Sequence, residues 1–214
     1  MLKKISRSHK KFKWSGLHPF FYHPFFSAFT PDLSNKVILD CGCGRGIFGY
    51  LTRTTRDLSG SIMIGVDVNE ESLFFCRKHK IYDKLVKHKL PLLPFKSKSI
   101  DFLICSEVIE HLSKKDGLKL LNEIDRVCRE RAVVTTPNIF FHNPPGTEAD
   151  KHRSNWQASN FSQSGYRVYG LGLRTPLLSN SFLKIKQALY YFFTPVSYFF
   201  PNFGGYLFCV KDFS

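Results

Sequence analysis

The chain is poor in acidic residues and contains no long uninterrupted apolar run. It carries 17 Asp and Glu against 31 Lys and Arg, which gives a formal net charge of +14 at pH 7. No stretch of about 18 uncharged apolar residues occurs, so we predict no membrane-spanning helix. The N-terminus is basic, but the apolar segment of a secretory signal does not follow it. We therefore expect a cytoplasmic protein, and the sequence is also compatible with peripheral contact at the inner face of the membrane.

The cysteines and histidines lack the spacing of a metal site. Cys41 and Cys43 are separated by a single residue, which is not the spacing of a zinc knuckle, and no second pair complements them. Most of the six cysteines fall in apolar runs that are typical of strand or helix interiors. We expect buried, reduced thiols and no metal.

The length of 214 residues is typical of a single domain with a substantial core. Within one domain spanning 1–214, we distinguish a basic arm (1–16), an aromatic cap segment (17–34), a core (35–172) and an aromatic insertion between the last two strands (177–202). Basic residues crowd the arm. Such a run is usually a solvated tail, although it could also bind anionic lipid or nucleic acid.

Strand and helix patterns alternate along the core. The predicted strands are Val37–Cys41, Ile62–Val66, Leu85–His88, Ser99–Cys105 and Ala132–Thr136, followed by Tyr166–Leu171 and Tyr206–Val210. The predicted helices run to about Thr54, over Glu70–His79 with Asn69 as its cap, and over Lys114–Cys128 with Leu118, Leu121, Ile124 and Cys128 on one face. This alternation predicts an α/β fold, with a mostly parallel sheet and helices on both faces.

The first strand leads into a glycine-rich turn, VILDCGCGRG (37–46). The strand reaches an acid at Asp40, and Gly42, Gly44 and Gly46 follow it. Glycines allow a sharp turn and a close approach of the backbone to a ligand. A phosphate gains nothing from a carboxylate beside such a turn, whereas a cationic group does. The ammonium group of S-adenosylmethionine fits this pattern.

A second acid, Asp67, closes the next predicted strand. It lies about 20 residues beyond the glycine turn, where nucleotide-binding folds hold ribose hydroxyls. The alternative ligand is NAD, because residues 44–49 match G-x-G-x-x-G, a weak signal on its own. Asp40 and Gly42 precede that match, and the chain lacks a second mononucleotide-binding half. The pattern therefore favours S-adenosylmethionine.

Four ordered segments resemble a known family. They are VILDCGCGRG (37–46), GVDVNEESL (65–73), LPFKSKSIDFLICSEVIEHL (93–112) and TTPN (135–138). The chain resembles class I S-adenosylmethionine-dependent methyltransferases, in particular the type 11 group that includes ubiquinone-biosynthesis methyltransferases. The segment 152–172 is similar to the substrate-side region of related enzymes.

The resemblance implies a Rossmann-like fold of seven strands, the last of them antiparallel, with S-adenosylmethionine as cofactor. It implies that Asp40, Gly42 and Gly44 shape the pocket for the methionine part, and that Asp67 holds the ribose. The full set of expected cofactor-binding residues is Asp40, Gly42, Cys43, Gly44, Gly46, Asp67, Val68, Leu90, Ser106 and Glu107.

One position departs from the family pattern. Many relatives carry an acid shortly before Leu-Pro-Phe, where it can accept a hydrogen bond from the adenine amino group. The aligned residue here is Lys89, and a lysine side chain has no acceptor. The backbone at Leu90 could still contact the adenine edge.

Catalytic residues are harder to identify, because the methyl group of a sulfonium is already electrophilic. The enzyme must align the reacting atoms and exclude water, and it needs a base only for an acceptor of high pKa. By resemblance and position, the candidates are Glu107, His111 and His152, with Glu110 nearby. Alternatively, His111 could cap or pack the start of a helix, and His152 could belong to a polar surface loop.

Three functions are compatible with the sequence. The first is methyl transfer to an O, N or C nucleophile of a small, lipid-like or lipid-linked acceptor, which the aromatic insertion and cap segment favour. The second is RNA methylation, which the net charge favours, although RNA-binding modules and the Asn/Asp-Pro-Pro-Tyr signature of base-amine methyltransferases are absent. The third is non-catalytic binding of S-adenosylmethionine, which the departure from the family pattern at Lys89 favours.

The aromatic insertion has two further interpretations. Its rings could close the core at the sheet edge, or they could form a homodimer contact. Pro195 and Pro201 interrupt the segment, so a single long helix is not expected.

Overall fold

The structure is a computed structural model that describes residues 18–138, 151–173 and 183–213. The predicted basic arm and residues 177–182 of the aromatic insertion lie outside the described residues. The elements are, in chain order, α1 (His18–Phe29), β1 (Val37–Cys41), α2 (Ile47–Thr55), β2 (Ile62–Asp67), α3 (Glu70–Lys78), β3 (Lys84–Lys87), β4 (Ile100–Ser106), α4 (Lys114–Val127), β5 (Cys128–Pro137), α5 (Ala158–Gln163), β6 (Arg167–Leu171), α6 (Leu183–Phe199) and β7 (Tyr206–Asp212). Short 3-10 turns cover Ile109–His111 and Pro201–Phe203.

The described strands form one sheet in the order β3-β2-β1-β4-β5-β7-β6. Neighbouring strands from β3 to β5 are parallel. Strand β7 is antiparallel to both of its neighbours. The predicted fold class, a mostly parallel seven-stranded α/β sheet with an antiparallel last strand, is therefore confirmed.

The central strands are apolar on both faces because helices cover both sides of the sheet. One face packs against α4 and α5. The other packs against α1, α2 and α3. Strand β3, with the sequence KLVK, lies at the sheet edge and is only half-buried, which explains its weak apolar pattern. All six cysteines are free and buried in these two cores.

The buried face of α4 differs from the predicted one. Leu121 and Ile124 are buried as expected, but Leu118 is 45% exposed and Cys128 already belongs to β5. The reason is the close packing of Gly117 against a buried tryptophan. A Cβ at Gly117 would lie 2.3 Å from Cζ2 of Trp156, so this glycine fixes how the helix is rotated.

The prediction that Pro195 would break the insertion was wrong, because α6 continues through it. A proline removes one helical hydrogen bond and crowds the preceding turn. Contacts with β6 hold the C-terminal half of the helix in place. Ser197 Oγ donates to the carbonyl of Gly170 at 3.4 Å, and the ring of Tyr198 stacks on Tyr169 with centroids 4.6 Å apart. Tertiary packing thus outweighs the local cost of the proline.

The cap segment forms a helix, α1, which lies across one face of the sheet. Phe26 is buried, and its ring lies 4.5 Å from Phe48 at the start of α2 and 5.1 Å from Phe208 in β7. The cap segment therefore contributes to the core on this face of the sheet.

Candidate active site

The glycine-rich loop folds over the carboxyl end of β2. The backbone N–H groups of Gly42 and Cys43 both donate to the carbonyl of Val66, at 2.8 and 2.9 Å. Strands β1, β2 and β4 are neighbours and run parallel, so their carboxyl ends meet at one edge of the sheet. The loop therefore joins the ends of these strands, where open α/β sheets bind ligands.

Gly42, Gly44 and Gly46 all have left-handed backbones, and the first two lie in different surroundings. At Gly42, with φ of +75°, a Cβ would lie 2.4 Å from Cγ2 of Val108, so the loop packs tightly on the segment after β4. At Gly44, with φ of +51°, a Cβ would meet no atom within 4 Å apart from those of its two neighbours in the chain. The backbone at Gly44 therefore borders open space, and a ligand could approach it closely.

Asp67 links the glycine loop to the start of α3. Its Oδ2 accepts a hydrogen bond from the N–H of Gly44 at 2.8 Å, and its Oδ1 accepts one from the N–H of Asn69 at 2.8 Å. An ionised carboxylate has about four acceptor positions, so two more remain for hydroxyl groups. The next residue, Val68, is half-exposed at the same edge.

Asp40 lies beneath the loop and is only 4% exposed. Its Oδ2 accepts a hydrogen bond from the hydroxyl of Tyr82 at 2.5 Å. Burial, with a smaller contribution from the charge of Asp67, raises the pKa of Asp40 to about 7. Because its carboxyl group is buried, Asp40 would act on a cationic ligand mainly through its charge.

The side chain of Cys43 is buried, and its Sγ lies 3.7 Å from the carbonyl oxygen of Gly44. Any contribution of Cys43 to a ligand would therefore come from its backbone. Leu90 lies just beyond β3 and packs partly against the core, and Lys89 is exposed beside it.

A polar network joins the carboxyl ends of β4 and β5. The hydroxyls of Ser106 and Thr135 lie 2.7 Å apart, and Thr135 Oγ1 donates to Oε1 of Glu107 at 3.1 Å. Glu107 has a left-handed backbone with φ of +55°, which is uncommon for a residue other than glycine. Strained residues of this kind concentrate at functional sites. Thr135 belongs to this network, whereas in the sequence it is marked only as part of the segment TTPN.

Glu110, His111 and His152 come together next to this network. Glu110 is buried, and its Oε2 accepts a hydrogen bond from the hydroxyl of Thr136 at 3.2 Å. Burial, increased by the charge of Glu107, raises the pKa of Glu110 well above its usual range. The rings of His111 and His152 lie 4.9 Å apart, edge to face. Burial, followed by the neighbouring His111, lowers the pKa of His152.

Backbone contacts hold His152 in this position. The N–H groups of Arg153 and Ser154 donate to the carbonyl of Glu110 at 2.7 and 3.1 Å. Ser154 in turn accepts a hydrogen bond at 2.9 Å from the indole N–H of the fully buried Trp156. The segment after β5 is thus anchored to the turn after β4, and the two predicted histidines become neighbours.

Comparison with known proteins agrees with this architecture. Residues 39–135 match the protein-family model described as "Methyltransferase domain". The chain is 33% identical over 95 residues to the uncharacterized protein MJ0638 of Methanocaldococcus jannaschii, a match that covers 44% of this chain and 37% of that protein. The chain spans less than half the length of the curated relatives that it matches.

Solved structures share the fold at low sequence identity. A putative S-adenosylmethionine-dependent methyltransferase of Listeria monocytogenes superposes with a TM-score of 0.65 at 10% identity, over 94% of this chain and 100% of that one. Magnesium protoporphyrin IX methyltransferase of Synechocystis PCC 6803, crystallised with S-adenosylhomocysteine, superposes with a TM-score of 0.60 at 13% identity, over 92% and 83%. Residues 39–135 thus match a methyltransferase domain, and the chain shares its fold with these solved methyltransferases.

Proposed function

We propose that the chain transfers a methyl group from S-adenosylmethionine to a nucleophile of a small acceptor. The observation that carries this proposal is the open space beside the left-handed Gly44, next to the carboxylate of Asp67. A backbone without side chains beside a carboxylate suits a ligand with ribose hydroxyls and an adjoining amino acid part.

In the proposed arrangement, the methionine part of the cofactor lies along the loop Gly42–Gly46 and its ribose binds Asp67. The adenine lies near Val68 and Leu90, and the methyl group points toward Ser106 and Glu107. The buried charge of Asp40 favours the cationic end of the cofactor from below the loop.

The acceptor approaches from the side of Glu107, His111 and His152. Its nucleophilic atom forms a bond to the methyl carbon while the carbon–sulfur bond breaks, and the electron pair returns to sulfur as the neutral thioether. When the nucleophile carries a proton, one of these three side chains accepts it. Alignment and exclusion of water supply the rest of the acceleration.

We further propose that the acceptor is lipid-like and is met at a membrane surface. The supporting feature is an exposed apolar stripe on α6 and the turn after it, formed by Phe192, Val196, Phe199, Phe200 and Phe203. Large exposed apolar patches mark contact surfaces, and aromatic rings favour the membrane interface. Within the ranges that the structure describes, no helix is long and apolar enough to span a membrane.

The stripe ends at the same sheet edge as the site. The amide nitrogen of the Asn138 side chain, directly after β5, donates to the carbonyl of Gly204 at 2.8 Å. The turn that carries Phe203 is therefore tied to the strand end that also carries Thr135. An acceptor held on the stripe would have a short path to the site.

The membrane part of the proposal is tested with a triple variant, Phe192→Ser, Phe199→Ser and Phe200→Ser. Because these rings are exposed, we expect the variant to fold, to bind S-adenosylmethionine within about twofold of the wild type, and to lose most of its flotation with anionic vesicles. Phe74→Ser is the matched control, since Phe74 on α3 is 61% exposed and lies outside the stripe. Equal flotation of the triple variant and the wild type would contradict a role for the stripe.

The second candidate, an RNA acceptor, is favoured by the net charge of +14. Electrostatic binding of nucleic acid weakens steeply as salt rises. Purified protein that retains RNA at low salt and methylates it would support this candidate over a lipid-like acceptor.

A further inference from the structure

A group of three potential metal ligands lies at the carboxyl edge of the sheet. Glu110, His111 and His152 each offer one ligand atom, and these three atoms lie within 4.8 Å of one another. Glu110 and His111 come from the turn after β4, whereas His152 comes from the anchored segment before α5. Sequence spacing did not predict this group because its members come from distant parts of the chain.

The carboxylate of Glu110 has an unsatisfied acceptor. Its Oε2 is bonded to Thr136, but its Oε1 is buried and has no hydrogen-bond partner, and the residue is only 2% exposed. A buried acceptor without a partner is unfavourable, and more so when it is charged. A cation bound between the carboxylate and the two imidazoles would remove this cost.

We propose that Glu110, His111 and His152 bind a divalent transition-metal ion, with zinc as the representative ion. Two histidines and one carboxylate are an established ligand set for zinc and related ions, and they leave a coordination position open. Ligand atoms in a tetrahedral site lie about 3.4 Å apart at metal–ligand distances near 2.1 Å. Binding therefore requires the side chains to move closer together by about an ångström, which small rotations of the imidazole rings allow.

The backbone contacts described above make the group suitable for a resident ion. Arg153 and Ser154 fix the segment of His152 to the carbonyl of Glu110, and Trp156 supports Ser154. A site with its ligands already held side by side loses little conformational freedom when the ion binds.

The ion would define the class of acceptor, and this part of the inference rests on the proposed methyl transfer. An acceptor hydroxyl in the open coordination position would have its pKa lowered by the ion. Its proton passes to Glu107, the oxygen bonds to the methyl carbon, and the carbon–sulfur bond breaks toward sulfur. The acceptor would then be an oxygen nucleophile, and His111 and His152 would hold the ion instead of accepting the proton.

Ion binding is tested on the full chain without reference to activity. The protein is stripped with a chelator and titrated with zinc chloride by calorimetry, and bound zinc is counted by elemental analysis. We expect one zinc ion per chain for the wild type, and affinity reduced by at least about a hundredfold in His111→Ala and in His152→Ala. His79→Ala is the matched control, because His79 ends α3 and lies outside the group.

Titration with S-adenosylmethionine confirms that each variant is folded. The metal site would be overturned if the wild type bound no zinc, or if both histidine variants bound zinc with the affinity of the wild type. If zinc is absent while S-adenosylmethionine still binds and methyl transfer continues, the metal proposal fails and the proposed function stands. If zinc binds as expected but the cofactor does not, the metal site is supported and the proposed function fails.

Discussion

At the scale of single residues, two glycines of one loop have different roles. Gly44 borders open space, whereas a Cβ at Gly46 would lie 3.0 Å from Sγ of Cys76 and from side-chain atoms of Ile81. Both glycines have a left-handed backbone, so an added side chain costs about 1 kcal/mol at either position. What differs is what the side chain would meet: open space, where we propose that the ligand binds, at Gly44, and the protein core at Gly46.

The variant Gly44→Ala should therefore lose cofactor affinity, and its loss of stability should not exceed the cost of about 1 kcal/mol for its left-handed backbone. We expect affinity for S-adenosylmethionine to fall about tenfold or more by calorimetry, because the methyl group occupies the space of the ligand. The variant Gly46→Ala should instead lose about 1–3 kcal/mol in the free energy of unfolding, measured with denaturant. Unchanged affinity in Gly44→Ala would place the ligand elsewhere.

From the raised pKa of Asp40 we predict that cofactor affinity depends on pH. The carboxyl is ionised above its pKa of about 7 and is protonated, hence neutral, below it. The cationic cofactor favours the ionised form, so we expect affinity to weaken as the pH falls below 7, by at most about tenfold per pH unit. The hydrogen bond from Tyr82 favours the ionised form, so Tyr82→Phe should move this loss to higher pH. Calorimetry between pH 6 and 8 measures both effects, and a flat profile would show that the charge of Asp40 does not act on the ligand.

Some of these residues could be predicted from sequence and others could not. The glycines and Asp67 stand out because a strand end followed by a turn has a local signature. The proximity of His111 and His152 has no such signature, because it depends on backbone hydrogen bonds between distant segments. The enclosure of Asp40 by Tyr82 is likewise a tertiary contact. The roles of these residues in binding and catalysis remain predictions.

At the scale of elements, local patterns predicted the strands of the core and its helices α2, α3 and α4 to within about four residues, whereas α5 was not predicted. The capping of α3 by Asn69 is confirmed, since its side chain accepts a hydrogen bond from the N–H of Ser72 at 3.1 Å. The rotation of α4 was partly wrong because periodicity does not report which neighbour a helix meets. The continuation of α6 through Pro195 was missed for a related reason, since its stability comes from packing against β6.

The contact between α4 and Trp156 gives a test at this scale. The variant Gly117→Ala should lose about 1–3 kcal/mol in the free energy of unfolding, because its Cβ would overlap the indole ring. The variant Leu118→Ala, on the exposed side of the same helix, should change stability by less than about 0.5 kcal/mol. Denaturant unfolding measures both changes. A larger loss of stability in Leu118→Ala than in Gly117→Ala would contradict the observed rotation of α4.

At the scale of the whole molecule, the alternation of strand and helix was sufficient to predict the layered sheet. A parallel pair of strands needs a crossover connection, and the helices that supply it occur between the strands in the expected order. The aromatic residues were harder to assign, because a ring that closes a core and a ring that contacts a partner have the same sequence. The structure separates them: Phe26 and Tyr198 pack against the sheet, while Phe192 and Phe199 are 76% and 75% exposed.

The most direct test of the cofactor site is calorimetric titration of the protein, and of its variants Asp67→Ala and Asp67→Asn, with S-adenosylmethionine and S-adenosylhomocysteine. We predict one binding site in the wild type. In Asp67→Ala the binding free energy should weaken by about 1.5–3 kcal/mol, which is the usual value of hydrogen bonds to a charged group. Asp67→Asn, which keeps an acceptor for the N–H of Gly44, should retain the loop but still bind more weakly than the wild type. A cofactor site at this loop would be contradicted if the wild type bound neither ligand, or if the wild type and both Asp67 variants bound them with equal affinity.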